Sequence, residues 1–406
     1  MTMRGVPLKN AGYILSLLPQ ALLVLGTYLD FPWLSVLFFF AALPLLRHFI
    51  GNDMSPAIQS PSRWLVLYLN SVPRLYCLTW ALVVPWVVWT LATRSMTIPA
   101  YIGFNLSLWI VCSLNTAIAH ELIHAASSVD RKLGGLLDAS IGYFYFAEEH
   151  LSHHARTGHY YGGDAAIPGT SIYCFAMRRY RDSLTTAWQF EVSRLKRMNL
   201  SWHSNRLLRK APIPLLIATG FFLFAGTTGL GIYLFQVVGT AFTIQAITYL
   251  QHWGLSERET PELRDFGFAW EDGCWIQACV TLNHAYHGRH HLNLRRPYYQ
   301  LAWDKDSLSL PASYPVMFIV ALFPAFFTRV MRCRLTQWIE DFNQRDERWH
   351  NTDCIGVARK APALRHPPAE KHENLPAERV NDLATSSNPS RVRPSRSVSD
   401  GDPISK

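Results

Sequence analysis

Six long apolar runs constrain this chain more than any other feature. They lie at about 11–29, 32–49, 74–93, 100–124, 211–227 and 230–251, and each roughly meets the ~20 residues a helix needs to cross a bilayer. Such runs are too long for strands, and in lipid an open β-hairpin leaves its backbone unsatisfied. The expectation is an all-α integral membrane protein with about six transmembrane helices. Asp30-Phe31-Pro32 separates the first two runs and Gly226-Thr227-Thr228-Gly229 the last two, so both pairs read as helical hairpins. The first run is long and is followed by further spans, which argues against a cleaved signal. Charged residues make up 17% of the chain, below the quarter or so of a soluble domain.

The formal net charge of +9 has a plain source in this topology. Arg47, Arg63, Arg74 and the many Arg and Lys between Arg131 and Lys210 fall on one side of the proposed spans; the other side holds little beyond Asp30 and Arg94. The positive-inside rule then puts both termini and the long segments 125–210 and 252–310 in the cytoplasm, as a helical cap. The location expected is a bacterial inner membrane, in contact with its lipids. No nucleic-acid signature accompanies the basic charge. Tyr314 to Met331 is apolar but contains Pro315 and Pro324 and ends in an Arg cluster, so it is expected to lie at the interface. Residues 1–335 are expected to form the membrane domain. Residues 336–406 form an extension that turns Pro-, Ser- and Arg-rich, hence disordered, from about 361. The seven cysteines include no CxxC pair, which leaves no disulfide framework, Cys-bound zinc or iron–sulfur module.

Ten of the 16 histidines fall in four clusters. These are His120-Glu121-Leu122-Ile123-His124, His150-Leu151-Ser152-His153-His154, the single His252 within Gln251-His252-Trp253-Gly254, and His284-Ala285-Tyr286-His287-Gly288-Arg289-His290-His291. His120 and His124 close the fourth run and His252 the sixth, both on the cytoplasmic side, and the other clusters lie in the cytoplasmic segments. All four can therefore meet at one membrane boundary. His120/His124 are i, i+4 neighbours, and both HxxHH stretches put i, i+3, i+4 on one helix face. Nine imidazoles exceed the needs of one metal, so two are expected. Imidazole suits iron, zinc, copper or nickel. Zinc, redox-inert and normally satisfied by four ligands, fits a site beside lipid less well than a redox metal does; copper stays open. HELIH also matches the HExxH zinc-protease pattern, but that reading leaves three clusters idle. Glu121, Glu148, Glu149, Asp164 and Asp272 are candidates to orient imidazoles.

The clusters resemble the histidine boxes of the membrane fatty acid desaturase/hydroxylase superfamily, in particular its alkane and xylene monooxygenase branch. Asn115-Thr116 before HELIH, Gln251-His252-Trp253-Gly254-Leu255, and His287-Gly288-Arg289-His290-His291 before Arg295-Arg296-Pro297-Tyr298-Tyr299-Gln300-Leu301 carry the likeness, over roughly residues 10–330. The resemblance implies two non-haem irons held by His120, His124, His150, His153, His154, His252, His287, His290 and His291, with O2 as co-substrate. It also implies electrons from a rubredoxin or ferredoxin with its reductase, and hydroxylation of an apolar alkane, alkyl or fatty-acyl substrate. Desaturation on the same site is the alternative. His284 belongs to the last cluster but has no counterpart in the histidine boxes of the family that the clusters resemble, and so is expected beside the ligands. The second box is tighter by one residue than in the alkane branch, Ala125 stands where that branch has Lys, and Gln251 where it has Glu. These departures bear on terminal alkane hydroxylation more than on the metal site.

Overall fold

The computed structural model describes residues 5–160 and 163–353. Among these residues there is no strand, and three isolated bridge pairs are the sole extended pairings. Four helices are long and apolar enough to cross a membrane by length and composition: Lys9–Tyr28 (α1), Arg63–Thr93, Ile98–His124 and Arg206–His252. A shorter apolar helix, Leu34–Ile50 (α2), follows α1, and the two are joined at Asp30, which takes φ 53°. We label Arg63–Thr93 α3 and Ile98–His124 α4.

The structure moves one boundary substantially. The third apolar run was expected to start at residue 74, with Arg63 and Arg74 in a loop, yet α3 begins at Arg63, where Ser62 accepts a hydrogen bond from the Leu65 N–H. Arg74 does not end the helix because its charge is met from outside: its Nε and Nη2 donate to the two oxygens of Asp130 at 2.7 and 2.8 Å. Asp130 lies on Ser128–Ser140 (α5), which is followed by Phe146–Ala155 (α6) and Ile172–Arg197 (α7).

Arg206–His252 (α8) carries one non-helical residue, Gly226, at φ 62° and ψ −155°. The chain reverses there. Phe221 and Tyr233 have ring centroids 5.2 Å apart, although twelve residues of straight helix would separate them by about 18 Å. The positive φ at this turn is open to glycine at little cost. Beyond α8 come two short helices, Trp275–Val280 (α9) and His287–Leu292 (α10), then Tyr314–Ala321 (α11) and Pro324–Asp353 (α12). The apolar stretch from Tyr314 is thus divided, and α12 passes through residue 336, the expected start of the extension. The tail expected to be disordered from about 361 lies outside the described residues.

Ion pairs fasten the loops around α9 and α10 to the first helices. Lys9 Nζ lies 2.5 Å from Asp53 Oδ2, which also accepts from Tyr286 OH at 2.8 Å. Arg47 Nε donates to Asp272 Oδ1 at 2.8 Å. At the far end of the helices Arg94 and Asp30 pair at 3.4 Å.

Candidate metal centre

Each imidazole reaches the centre from a helix end or a short helix whose position is separately fixed. α4 delivers His120 and His124 from its last turn, α8 delivers His252 as its last residue, and α6 and α10 carry the two HxxHH stretches. The nine histidines expected as ligands fall into two groups, each able to hold a metal ion: His120, His124, His150, His154 and His290; and His153, His252, His287 and His291. The two HxxHH stretches are divided in opposite ways. From α6 the i, i+4 pair joins the first group and His153 crosses to the second; from α10 the i, i+4 pair joins the second and His290 crosses to the first.

The nitrogens are arranged for a cation. In the first group His154 Nε2 lies 2.8 Å from His150 Nε2, 3.2 Å from His290 Nε2 and 3.3 Å from His124 Nε2. One ring nitrogen carries at most one hydrogen, so these contacts cannot all be hydrogen bonds. Imidazole nitrogens at about 2.0–2.1 Å from a common ion and at right angles would be about 3 Å apart, which is the spacing seen. In the second group His153 Nε2 and His291 Nε2 are 3.1 Å apart, and His252 Nε2 and both nitrogens of His287 are buried with no partner. His252 Nδ1 donates to the Phe268 carbonyl at 2.7 Å, which leaves the Nε2 lone pair free to ligate.

Six of these rings are held toward the neutral form. Burial, reinforced by neighbouring imidazoles, holds His150, His153, His154, His287, His290 and His291 well below the ordinary histidine range. Neutral imidazole is the ligating form.

The carboxylates proposed to orient them divide. Asp164 Oδ2 lies 3.2 Å from His153 Nδ1 and 3.6 Å from His252 Nε2, and Asp164 Oδ1 accepts from the Gly158 N–H at 3.0 Å. Glu149 is bound to Arg179 at 2.5 Å, Glu148 to Lys210 at 2.6 Å, and Asp272 to Arg47. Glu121 meets the backbone of Tyr298, whereas an HExxH protease would need it at the metal. His284 stands outside both groups with its ring 4.4 Å from that of His120; burial pushes its pKa down to about 4.

Three residues that shape the site were not singled out from sequence. Arg179 is one, because nothing in a run of exposed Arg and Lys marks the buried member. Asn283 is the second. It holds φ 57°, which asparagine tolerates better than most residues, and its Nδ2 donates to Tyr13 OH, Tyr298 O and Leu301 O at 2.9, 2.7 and 3.2 Å. Asn283→Leu is expected to cost roughly 2–4 kcal/mol from lost buried hydrogen bonds and backbone strain, read as a lowered unfolding midpoint together with metal loss. Gly288, inside the last box, is the third. A Cβ there would meet Phe266 O at 2.4 Å and Glu271 Oε1 at 3.0 Å, and one on Gly267 would meet Gly288 O at 2.4 Å. Gly288→Ala must push α10 off this support, at about 1–3 kcal/mol for overpacking. Metal analysis should show His287 and His291 losing their ion before the first group does.

Helices able to span a membrane, closed at one end by two histidine clusters each able to take a metal ion, define a membrane metalloenzyme. The chain belongs to the fatty acid desaturase family, whose model matches residues 96–306. It is 29% identical over 324 residues to alkane 1-monooxygenase 2 of Pseudomonas aeruginosa, covering 74% of this chain and 83% of that one. It is 27% identical over 358 residues to alkane 1-monooxygenase 1 of Alcanivorax borkumensis and, over the same length, to alkane 1-monooxygenase of Ectopseudomonas oleovorans, covering 81% of this chain and 86% of each relative. The protein is an oxidoreductase, a monooxygenase or a desaturase.

Proposed function

We propose that this protein is a membrane di-iron monooxygenase that hydroxylates an apolar substrate, an alkane, alkyl or fatty-acyl chain. The observation that carries the reading is the division of nine buried or half-buried imidazoles into groups of five and four. His120, His124, His150, His154 and His290 would hold one iron, and His153, His252, His287 and His291 the other. Iron is preferred because a redox-inert ion such as zinc would not serve O2 chemistry. Bound there, the iron pair supplies activation of O2 with two electrons, so that substrate R–H, O2, two electrons and two protons become R–OH and water.

The remaining roles belong to the chain itself. A cavity of about 200 Å³ opens against His120, His150, His153 and His287 and is walled by Phe39, Trp109, Ile110, Phe146 and Phe318. The aromatic and aliphatic part of its wall would hold the apolar part of a substrate. The Phe268 carbonyl orients His252, and Asp164 Oδ2 lies 3.2 Å from His153 Nδ1. Six crossings, with the reversal at Gly226 separating the last two, would put the centre at the cytoplasmic face of a bacterial inner membrane, within reach of a rubredoxin or ferredoxin and its reductase. The apolar helix pair from Tyr314 would lie at the interface. The membrane domain would span 1–335, with 336–406 an extension outside the chemistry.

The test is to purify the full chain, count its metals, and supply reductase, rubredoxin or ferredoxin, labelled O2 and a panel of apolar substrates. Two irons per chain and a product that gains one labelled oxygen are expected. A product lighter by two hydrogens would make it a desaturase; turnover without iron would overturn the reading.

A further inference from the structure

The wall of the cavity is not uniformly apolar, and the polar part is unsatisfied. Ser113, Gln251, Gln277 and His284 all line it. Ser113 Oγ, Gln277 Oε1 and His284 Nδ1 are buried without a hydrogen-bond partner, and Gln277 is 4% exposed. Some hydroxyls in these helices bond back to the carbonyl four residues earlier, as Thr79, Thr93, Thr219 and Thr248 do at 2.8–3.1 Å, and others, such as Thr90 and Thr240, do not. Ser113 makes no such bond. Ser113 and Gln277 also come from elements that touch, because Ile110 and Leu114 of α4 pack with Ile276 and Val280 of α9 in one apolar cluster.

A bare hydrocarbon filling this space would leave each of these atoms unmet, a destabilising condition for buried polar groups. A ligand with one polar group would meet them. That group is neutral, because the charged side chains on the cavity wall, Arg179 and Glu149, are already paired with each other. We propose that the substrate is an apolar chain bearing a neutral hydrogen-bonding group, a hydroxyl, carbonyl or amide, recognised by Ser113 and Gln277. The chain itself runs along Phe39, Phe40, Trp109 and Phe318. Turnover of such a substrate rests on the hydroxylase reading above; its binding does not.

The test uses the full-length, metal-loaded protein in lipid nanodiscs and four ligands of equal chain length: decane, decan-1-ol, decan-2-one and decanamide. Affinities are read from tryptophan fluorescence and corrected for partition into the bilayer. At least one polar member should bind on the order of tenfold more tightly than decane, the effect of one neutral hydrogen bond, and Gln277→Leu should erase that advantage. Should Gln277→Leu fail to fold, Ser113→Ala takes its place with the same expectation. Decane binding as tightly as every polar member, or an advantage untouched by the variant, overturns the proposal. A polar preference without any oxygenated product would sustain this inference and count against the hydroxylase. Hydroxylated decane with no polar preference would do the reverse.

Discussion

His287→Ala is expected to leave the protein with one metal in place of two and to lower turnover by more than the roughly 10–100-fold that loss of an outer-shell partner costs. His287 is buried, neither of its nitrogens has a hydrogen-bond partner, and its ring centroid lies 4.2 Å from that of His291 and 5.3 Å from that of His252. Nothing else in the second group can replace its lone pair, since the group has three other members, each with its own nitrogen already committed to the same point. His284→Ala supplies the contrast. It removes an imidazole equally close in sequence but outside both groups, so both metals should stay. Metal content by mass spectrometry separates the two variants. Equal metal loss from both would mean that the division into five and four ligands is wrong.

Arg179→Met should have the largest effect on stability. Arg179 and Glu149 are 5% and 4% exposed, and the guanidinium also donates to Ser183 Oγ at 2.7 Å. Removing one partner of a buried pair strands the other charge, a loss of about 3–5 kcal/mol, whereas replacing both is often nearly neutral. Glu149 precedes His150, so the stranded carboxylate would disturb α6 where it delivers a ligand. The single variant should unfold at markedly lower temperature, and the double variant Glu149→Gln/Arg179→Met should regain more than half of the difference. A single variant within about 1 kcal/mol of the parent would show that water reaches the pair, as in exposed ion pairs.

These two expectations differ in how much of them could be read before the fold was known. Eight of the nine histidines announced themselves through i, i+4 and HxxHH spacing, whereas the lone His252 stood out through its position at the end of a span and the family resemblance of its motif. Arg179 did not, because an arginine among Arg178 and Arg181 looks like any solvated cation until α7 is packed against α6. The start of α3 was misplaced for the same reason: Arg74 reads as a loop charge unless Asp130, 56 residues away, is known to meet it. The orphaned polar atoms of the cavity are likewise invisible in the chain, since whether Gln277 has a partner depends on every element around it.

What the sequence by itself determined was the all-helical membrane character, from run length against bilayer thickness, and nine converging imidazoles, eight of them marked by helical spacing and His252 by the resemblance of its motif to a known histidine box. Only the tertiary structure decided how those imidazoles are shared. His153 leaves its helix-mates for the second group and His290 leaves its own for the first, since two short helices facing each other can each supply an i, i+4 pair to one group and a single ring to the other. That choice depends on how α6 and α10 are held, by Arg179 on Glu149, by Asn283 on three separate partners and by the close contact of Gly267 with Gly288. Contacts between distant stretches of chain carry no periodic signal.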